Sequence, residues 1–122
     1  MEITSAVVGP MGNNAYLLTD AGEGLLIDAA DEAATLLALV GDTPVTRIVT
    51  THRHRDHIAA LAAVAAHTGA RLVAGAPDAD AIAQAAGVTI DDRVWDGDTV
   101  RVGNVELEVV GHPSIVVDTR YQ

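Results

Sequence analysis

Thr51-His52-Arg53-His54-Arg55-Asp56-His57 sets three imidazoles and a carboxylate side by side in a 122-residue chain that holds five histidines. The apolar run before it, Val45-Thr46-Arg47-Ile48-Val49-Thr50-Thr51, reads as a strand. If the extended backbone continues past Thr51, side chains two apart fall on one face, so His52, His54 and Asp56 point the same way. Arg53 and Arg55 then point the opposite way, which keeps two cations off an ion whose field they would oppose. His57 breaks the alternation and serves the same cavity if the chain bends there into a helix. Two imidazoles two residues apart suit one divalent ion, and a carboxylate next to a further imidazole suits a second ion about 3.5–4 Å away. The stretch reads as two half-sites for metal.

Each of these residues also has an ordinary reading. A carboxylate such as Asp56, just ahead of a helix, is common as an N-cap or as a partner of the helix dipole. A histidine at a strand end is usually solvated or hydrogen-bonded. Four such residues at this spacing, in a loop after an apolar strand, point instead to metal. Imidazole and carboxylate are also the only strong ligand types on offer, because the chain has no cysteine. Zinc suits the set best, with iron or manganese as alternatives.

On either side of the motif the pattern alternates between strands and helices. Ile3 to Val8 and Ala15 to Thr19 read as strands, and Asp20-Ala21-Gly22-Glu23-Gly24 as the turn into Leu25-Leu26-Ile27, together an antiparallel meander. Residues 31–40 read as a helix with acids in its first turn and Gly41 at its end. Residues 58–67 read as a second helix, closed by Gly69. Arg71 to Ala74 is a short strand, and Pro77 to Ala86 a helix started by proline and stopped by Gly87. Gly103-Asn104 is a two-residue turn between strands Thr99 to Val102 and Val105 to Val110. His67, in the last turn of its helix, suits the negative dipole end and is read as structural. Trp95 reads as cover for the core, and Asp28, ending an apolar strand, as a turn or cap residue.

Beyond the motif itself, several segments resemble the metallo-β-lactamase fold hydrolases, glyoxalase-II-like members above all. Asn13-Asn14-Ala15-Tyr16-Leu17-Leu18 is similar to their second-strand segment, and Gly24-Leu25-Leu26-Ile27-Asp28 to the strand that ends in the family's acidic residue. Asp96-Gly97-Asp98-Thr99-Val100 followed by Val109-Val110-Gly111-His112 is similar to the strand pair leading to the third histidine. The resemblance runs in the family's order from about residue 3 to residue 115. It implies an α/β (α+β) fold of the αββα sandwich type, here mainly its N-terminal αβ half, as a single domain over residues 1–122. It also implies that His112 joins His52 and His54 on a first ion, that Asp56 is catalytic and with His57 binds a second, and that Asp28 steadies a ligand histidine or its loop. The implied chemistry is attack by a metal-bound hydroxide on a small ester, thioester or lactone.

The chain departs from that family after His112, where Pro113-Ser114 replaces the usual Thr-Pro-Gly-Ser. The family continues for another αβ half that supplies a bridging aspartate and a last histidine, whereas Gln122 comes first here and Asp118 comes too soon to stand for that aspartate. The second half-site is therefore expected to be incomplete, and the domain C-terminally shortened. Two alternatives to an active hydrolase follow: a non-catalytic metal-binding remnant, or a half-domain that assembles with a second copy or a complementing C-terminal half. A half-sandwich is expected to expose the apolar sheet face that a partner layer would cover.

Composition narrows the classes further. A net charge of −10 opposes binding to nucleic acid and to acidic membrane surfaces. All seven basic residues are arginine, which removes a P-loop lysine, a Schiff-base lysine and a Ser-Lys dyad. The longest apolar stretch, 58–66, is far below the ~20 residues of a membrane span, and no charged start with a long apolar core marks export, so a cytoplasmic location is expected. The expected partner is a small-molecule substrate.

Overall fold

The computed structural model describes residues 1–9, 12–51, 58–110 and 116–120, with Asn13, Val110 and the last stretch described by backbone alone. Strands β1 (Glu2–Val8), β2 (Asn13–Asp20) and β3 (Glu23–Ile27) form the expected antiparallel meander. The chain then crosses through α1 (Ala33–Val40) to β4 (Val45–Thr50), through α2 (Leu61–Thr68) to β5 (Arg71–Gly75), and through α3 (Ala79–Ala86) to β6 (Asp92–Val94). β3 to β6 are parallel, so strand order in this six-stranded sheet equals chain order. A second, antiparallel sheet holds β7 (Thr99–Val102), β8 (Val105–Val110) and β9 (Val116–Arg120).

Period-two alternation decides which layer each side chain enters. Leu17, Leu26, Ile48 and Leu72 turn to one side of the sheet and pack with Leu36 and Val40 of α1, Leu61 and Val64 of α2, and Ile82 of α3. Their chain neighbours Leu18, Leu25, Val49 and Val73 turn to the other side and meet Val100, Val102, Val105, Leu107 and Val109 of the second sheet. Strands buried on both faces need near-continuous apolar runs, and Leu25-Leu26-Ile27 and Ile48-Val49 supply them. The described residues thus make three layers, helices, sheet and sheet, as the sandwich reading requires.

That second sheet corrects the expectation of a wholly exposed apolar face. Leu25 and Val49 are fully buried beneath it. What stays open on this face is a strip on β1 and β2, with Ile3 57 %, Val7 66 % and Tyr16 38 % exposed.

Several expected boundaries move, each for a physical reason. Asp31 and Glu32 lie ahead of α1 and not in its first turn, because Glu32 takes a left-handed backbone (φ 53°) and turns its carboxylate onto Gly9. Residues 58–60 form a turn before α2, since the amides of Ala59 and Ala60 donate to Ala30 and Ala29. Pro77 likewise sits in a turn two residues ahead of α3. Trp95 is 55 % exposed and not core cover. It opens a turn in which its amide donates to Asp98 Oδ2 at 2.7 Å and the Asp98 amide to its carbonyl at 3.0 Å. The stops at Gly69 and Gly87 hold, both glycines being left-handed.

Candidate metal-binding end of the sheet

β3 and β4 both finish at one end of the sheet, and the turn joining β1 to β2 lies at that end too, because Tyr16 near the start of β2 pairs with Ile27 at the end of β3. The carboxyl ends of parallel strands are where open α/β sheets build their sites, since the loops leaving them diverge around a crevice. The stretch of candidate metal ligands follows the end of β4 in the chain. His52, His54, Asp56 and His57 themselves, and His112, lie outside the described residues. Both flanks of the 52–57 stretch are described, and both are fixed to one segment, residues 28–30.

The entry flank is held by a carboxylate. Asp28 follows β3 with φ 61°, a left-handed conformation that aspartate tolerates better than most residues. Its own amide donates to Val49 O at 2.8 Å. Its side chain, only 6 % exposed, receives the Thr51 amide on Oδ1 at 2.8 Å and the Thr51 hydroxyl on Oδ2 at 2.5 Å. Thr51 immediately precedes His52. The exit flank is held by backbone alone, Ala59 N to Ala30 O at 2.9 Å and Ala60 N to Ala29 O at 3.1 Å. Ala29 and Ala30 are fully buried, and Ile58 is inserted into the helix-side core.

This arrangement settles the reading of Asp28 in favour of loop support over an isolated turn residue. It also brings in a residue that sequence reasoning passed over. In sequence Thr51 is only where the strand ends and the motif begins, yet its amide and hydroxyl are the two groups through which Asp28 grips the loop. An acidic residue ending one parallel strand, with a hydroxyl residue just past the end of the next, was the available signal.

A third loop is attached at the same end. The Gly9 amide donates to Glu32 Oε2 at 2.6 Å, Thr35 donates to Glu32 Oε1 at 3.2 Å, and the Glu32 amide donates to Asp31 Oδ1 at 2.8 Å. A Cβ at Gly9 would lie 2.8 Å from Asp31 Oδ2, so only glycine permits this approach. Asp28 and Glu32, two of the three non-glycine residues with positive φ among the described residues, thus stand within five residues beside the candidate site, a position where stored backbone strain recurs in functional loops. Among the described residues no group of three or more His, Cys, Asp or Glu side chains could hold an ion.

A three-layer α/β/β sandwich, with both flanks of a His- and Asp-bearing stretch fixed at the strand ends, defines the class, and comparison with known proteins gives the family. Residues 8–116 match the model of the metallo-beta-lactamase superfamily, and the chain belongs to that superfamily. It is 36% identical over 106 residues to a hydroxyacylglutathione hydrolase of Cereibacter sphaeroides, a match covering 82% of this chain and 40% of that protein. Its fold is similar to that of ETHE1 from Myxococcus xanthus (TM-score 0.81, 27% identity, 98% of this chain and 54% of that one). It is also similar to the class B3 di-zinc metallo-beta-lactamase LRA-12 from an Alaskan soil metagenome (TM-score 0.77, 22% identity, 89% and 51%). The chain spans about 40% of the length of the curated relative.

Proposed function

We propose that this chain carries the principal metal-binding loop of a hydrolase acting on a small thioester of the hydroxyacylglutathione type, with simple esters and lactones as the wider substrate class. The observation that carries the reading is the anchoring of both flanks of the 52–57 stretch, by Asp28 on Thr51 on one side and by Ala29 and Ala30 on Ala60 and Ala59 on the other. A loop meant only to connect a strand to a helix has no need of a buried carboxylate gripping its first residue. A loop that must present several ligands in one geometry does, because ligand sites depend on the partners that orient them.

The donor set fits zinc: imidazoles from His52, His54 and His112 for one ion, and Asp56 with His57 for a second, with no thiolate in the chain. When bound, such an ion supplies Lewis acidity and brings the pKa of a water toward neutrality. Asp56 would be the group to orient a water there and accept its proton. Asp28 and Thr51 fix the backbone immediately ahead of His52.

Elemental analysis of the purified chain, paired with thioester hydrolysis before and after metal removal, tests this. We expect bound zinc closer to one ion per chain than two, lost in His54→Ala, and slow turnover that stops without metal and falls in Asp56→Asn. Turnover indifferent to metal removal would sink the reading.

A second reading, a half-domain that assembles with another copy or with a complementing C-terminal half, draws support from the open strip of Ile3, Val7 and Tyr16. Light scattering that gives a cooperatively melting monomer at micromolar concentration would remove it.

A further inference from the structure

The opposite end of the sheet carries a groove of about 690 Å³ between the two sheets, and four of the chain's seven basic residues, Arg47, Arg71, Arg93 and Arg101, line it. In a chain of net charge −10 this gathering of cations is uneven. Arg47 and Arg71 are register partners on the parallel strands β4 and β5, so their side chains leave the same face about 4.8 Å apart. That face is the one turned to the second sheet, since Val49 and Val73, two residues on in each strand, are buried against it. Arg47 Nη1 donates to the Arg101 carbonyl at 2.9 Å, which brings β7 and its arginine against the pair.

Four acids also line the groove, and each is already engaged. Asp91 Oδ2 accepts from the Leu72 amide at 2.8 Å, and Asp98 Oδ2 from the Trp95 amide. Asp92 accepts two bonds from Arg71, at 2.9 and 3.0 Å, and Glu106 one from Arg101 at 3.0 Å. A guanidinium carries five N–H donors in a planar fork. Among the described residues Arg47 uses only Nη1, on the Arg101 carbonyl and 3.6 Å from Glu23, and Arg101 only Nη2. Each acid of the groove is thus tied to an internal donor, while the Arg47 and Arg101 forks keep N–H donors to spare. Its volume is that of a small-molecule site.

We propose that this groove is an anion-binding site, separate from the metal loop, for a small oxyanion with at least two charged oxygens, held by Arg47 and Arg101 with Arg71 as the third cation. Phosphate and dicarboxylate share the chemistry, because both accept paired N–H bonds from a guanidinium fork. The ion pairs around the groove do not stand in the way, being solvated pairs of the kind that yield readily to a competing ligand. Binding is expected to be modest, with a dissociation constant of about 1 mM, and to weaken with added salt.

The test is an NMR titration of the whole, metal-free chain at low ionic strength, following the arginine Nε–H signals, with inorganic phosphate in one arm, malonate in a second and sodium chloride in a third. Saturable shifts of the Arg47 and Arg101 signals with phosphate or malonate are expected, and the arm that saturates first identifies the preferred oxyanion. Arg47→Met should weaken binding at least tenfold. Arg101→Met, at an exposed position, is the second variant should Arg47→Met fail to fold. Shifts that chloride reproduces, that never saturate, or that persist undiminished in the folded variant would overturn the proposal and leave the arginines as a charged seal on the sandwich.

Discussion

The two ends of the six-stranded sheet are held by different physics. At the carboxyl end of the parallel strands a buried carboxylate, Asp28, grips Thr51 through charge-assisted bonds shielded from water. At the other end Arg71 pairs with Asp92, with 58 % and 39 % of their side chains exposed, and Arg101 pairs with Glu106 in similar solvation. A buried charge cannot lose its partners cheaply, because the desolvation cost remains when the bonds go. A solvated ion pair falls back on water at little cost. The molecule thus anchors the flanks of the candidate ligand stretch through buried bonds at one end and closes the other with pairs that adapt.

The largest test of that contrast is Asp28→Ala. It removes both acceptors of Thr51 and puts alanine at φ 61°, so a loss of about 4 kcal/mol is expected, seen as a fall in Tm of roughly 10 °C or more. Asp28→Asn tolerates the backbone and keeps one oxygen, and should lose about 1 kcal/mol. Zinc affinity should fall in both, further in Asp28→Ala. If the two variants melt together with wild type, the buried clamp is not what separates the two ends.

Next in size is Gly103→Ala, at the adaptable end. Gly103 has φ 56°, and a Cβ there would lie 2.3 Å from the Asp20 carbonyl oxygen, so the turn joining β7 to β8 must move off the turn joining β2 to β3. The Asn104 amide bond to Asp20 Oδ2, 2.8 Å long, would go with it. This bond is the main reason the Asp20 carboxyl titrates below the usual carboxylate range. About 2 kcal/mol of destabilisation is expected in a denaturant melt, with zinc affinity unchanged. A parallel loss of metal would mean that the ends are coupled through the sheet.

What the sequence made legible follows from where the information is local. Alternating burial is written into neighbouring residues, as in Leu17-Leu18 or Ile48-Val49, and the helix stops into single glycines, so the meander, the crossovers and the β7–β8 hairpin could all be read. The helix starts could not, because they depend on partners far along the chain: Glu32 reaches back to Gly9, and residues 59–60 bond to 29–30. β6, three residues long, and β9, beyond the third histidine, carry too little pattern to declare themselves. At the site the motif names candidate ligands, and these lie outside the described residues. The role of Thr51 was hidden, because a threonine at a strand end looks the same whether or not a carboxylate 23 residues earlier grips it.

Thr51→Val isolates one bond of the clamp. It keeps the amide on Asp28 Oδ1, loses the hydroxyl on Oδ2, and should cost about 1.5 kcal/mol, recovered by Thr51→Ser. A thermal melt of the three proteins side by side checks it. Equal stability of the valine and serine forms would show that the amide alone holds the loop.

The smallest effect belongs to Asp92→Asn, and its pH dependence sharpens the comparison most. Hydrogen bonding from Arg71 holds the Asp92 carboxyl below its usual range, with the charges of Arg71 and Arg47 acting in the same direction. A depressed folded pKa means that the pair contributes stability above the ordinary carboxylate value and loses it as the pH falls through the depressed one. Because the pair is well solvated, less than about 1 kcal/mol is expected near neutrality. Urea melts of wild type and Asp92→Asn should therefore differ slightly at pH 7, less at high salt, and converge in acid once Asp92 is protonated in the folded state. A difference of several kcal/mol that survives high salt would show that this pair is as well shielded as Asp28, and the distinction between a fixed end and an adaptable one would fall.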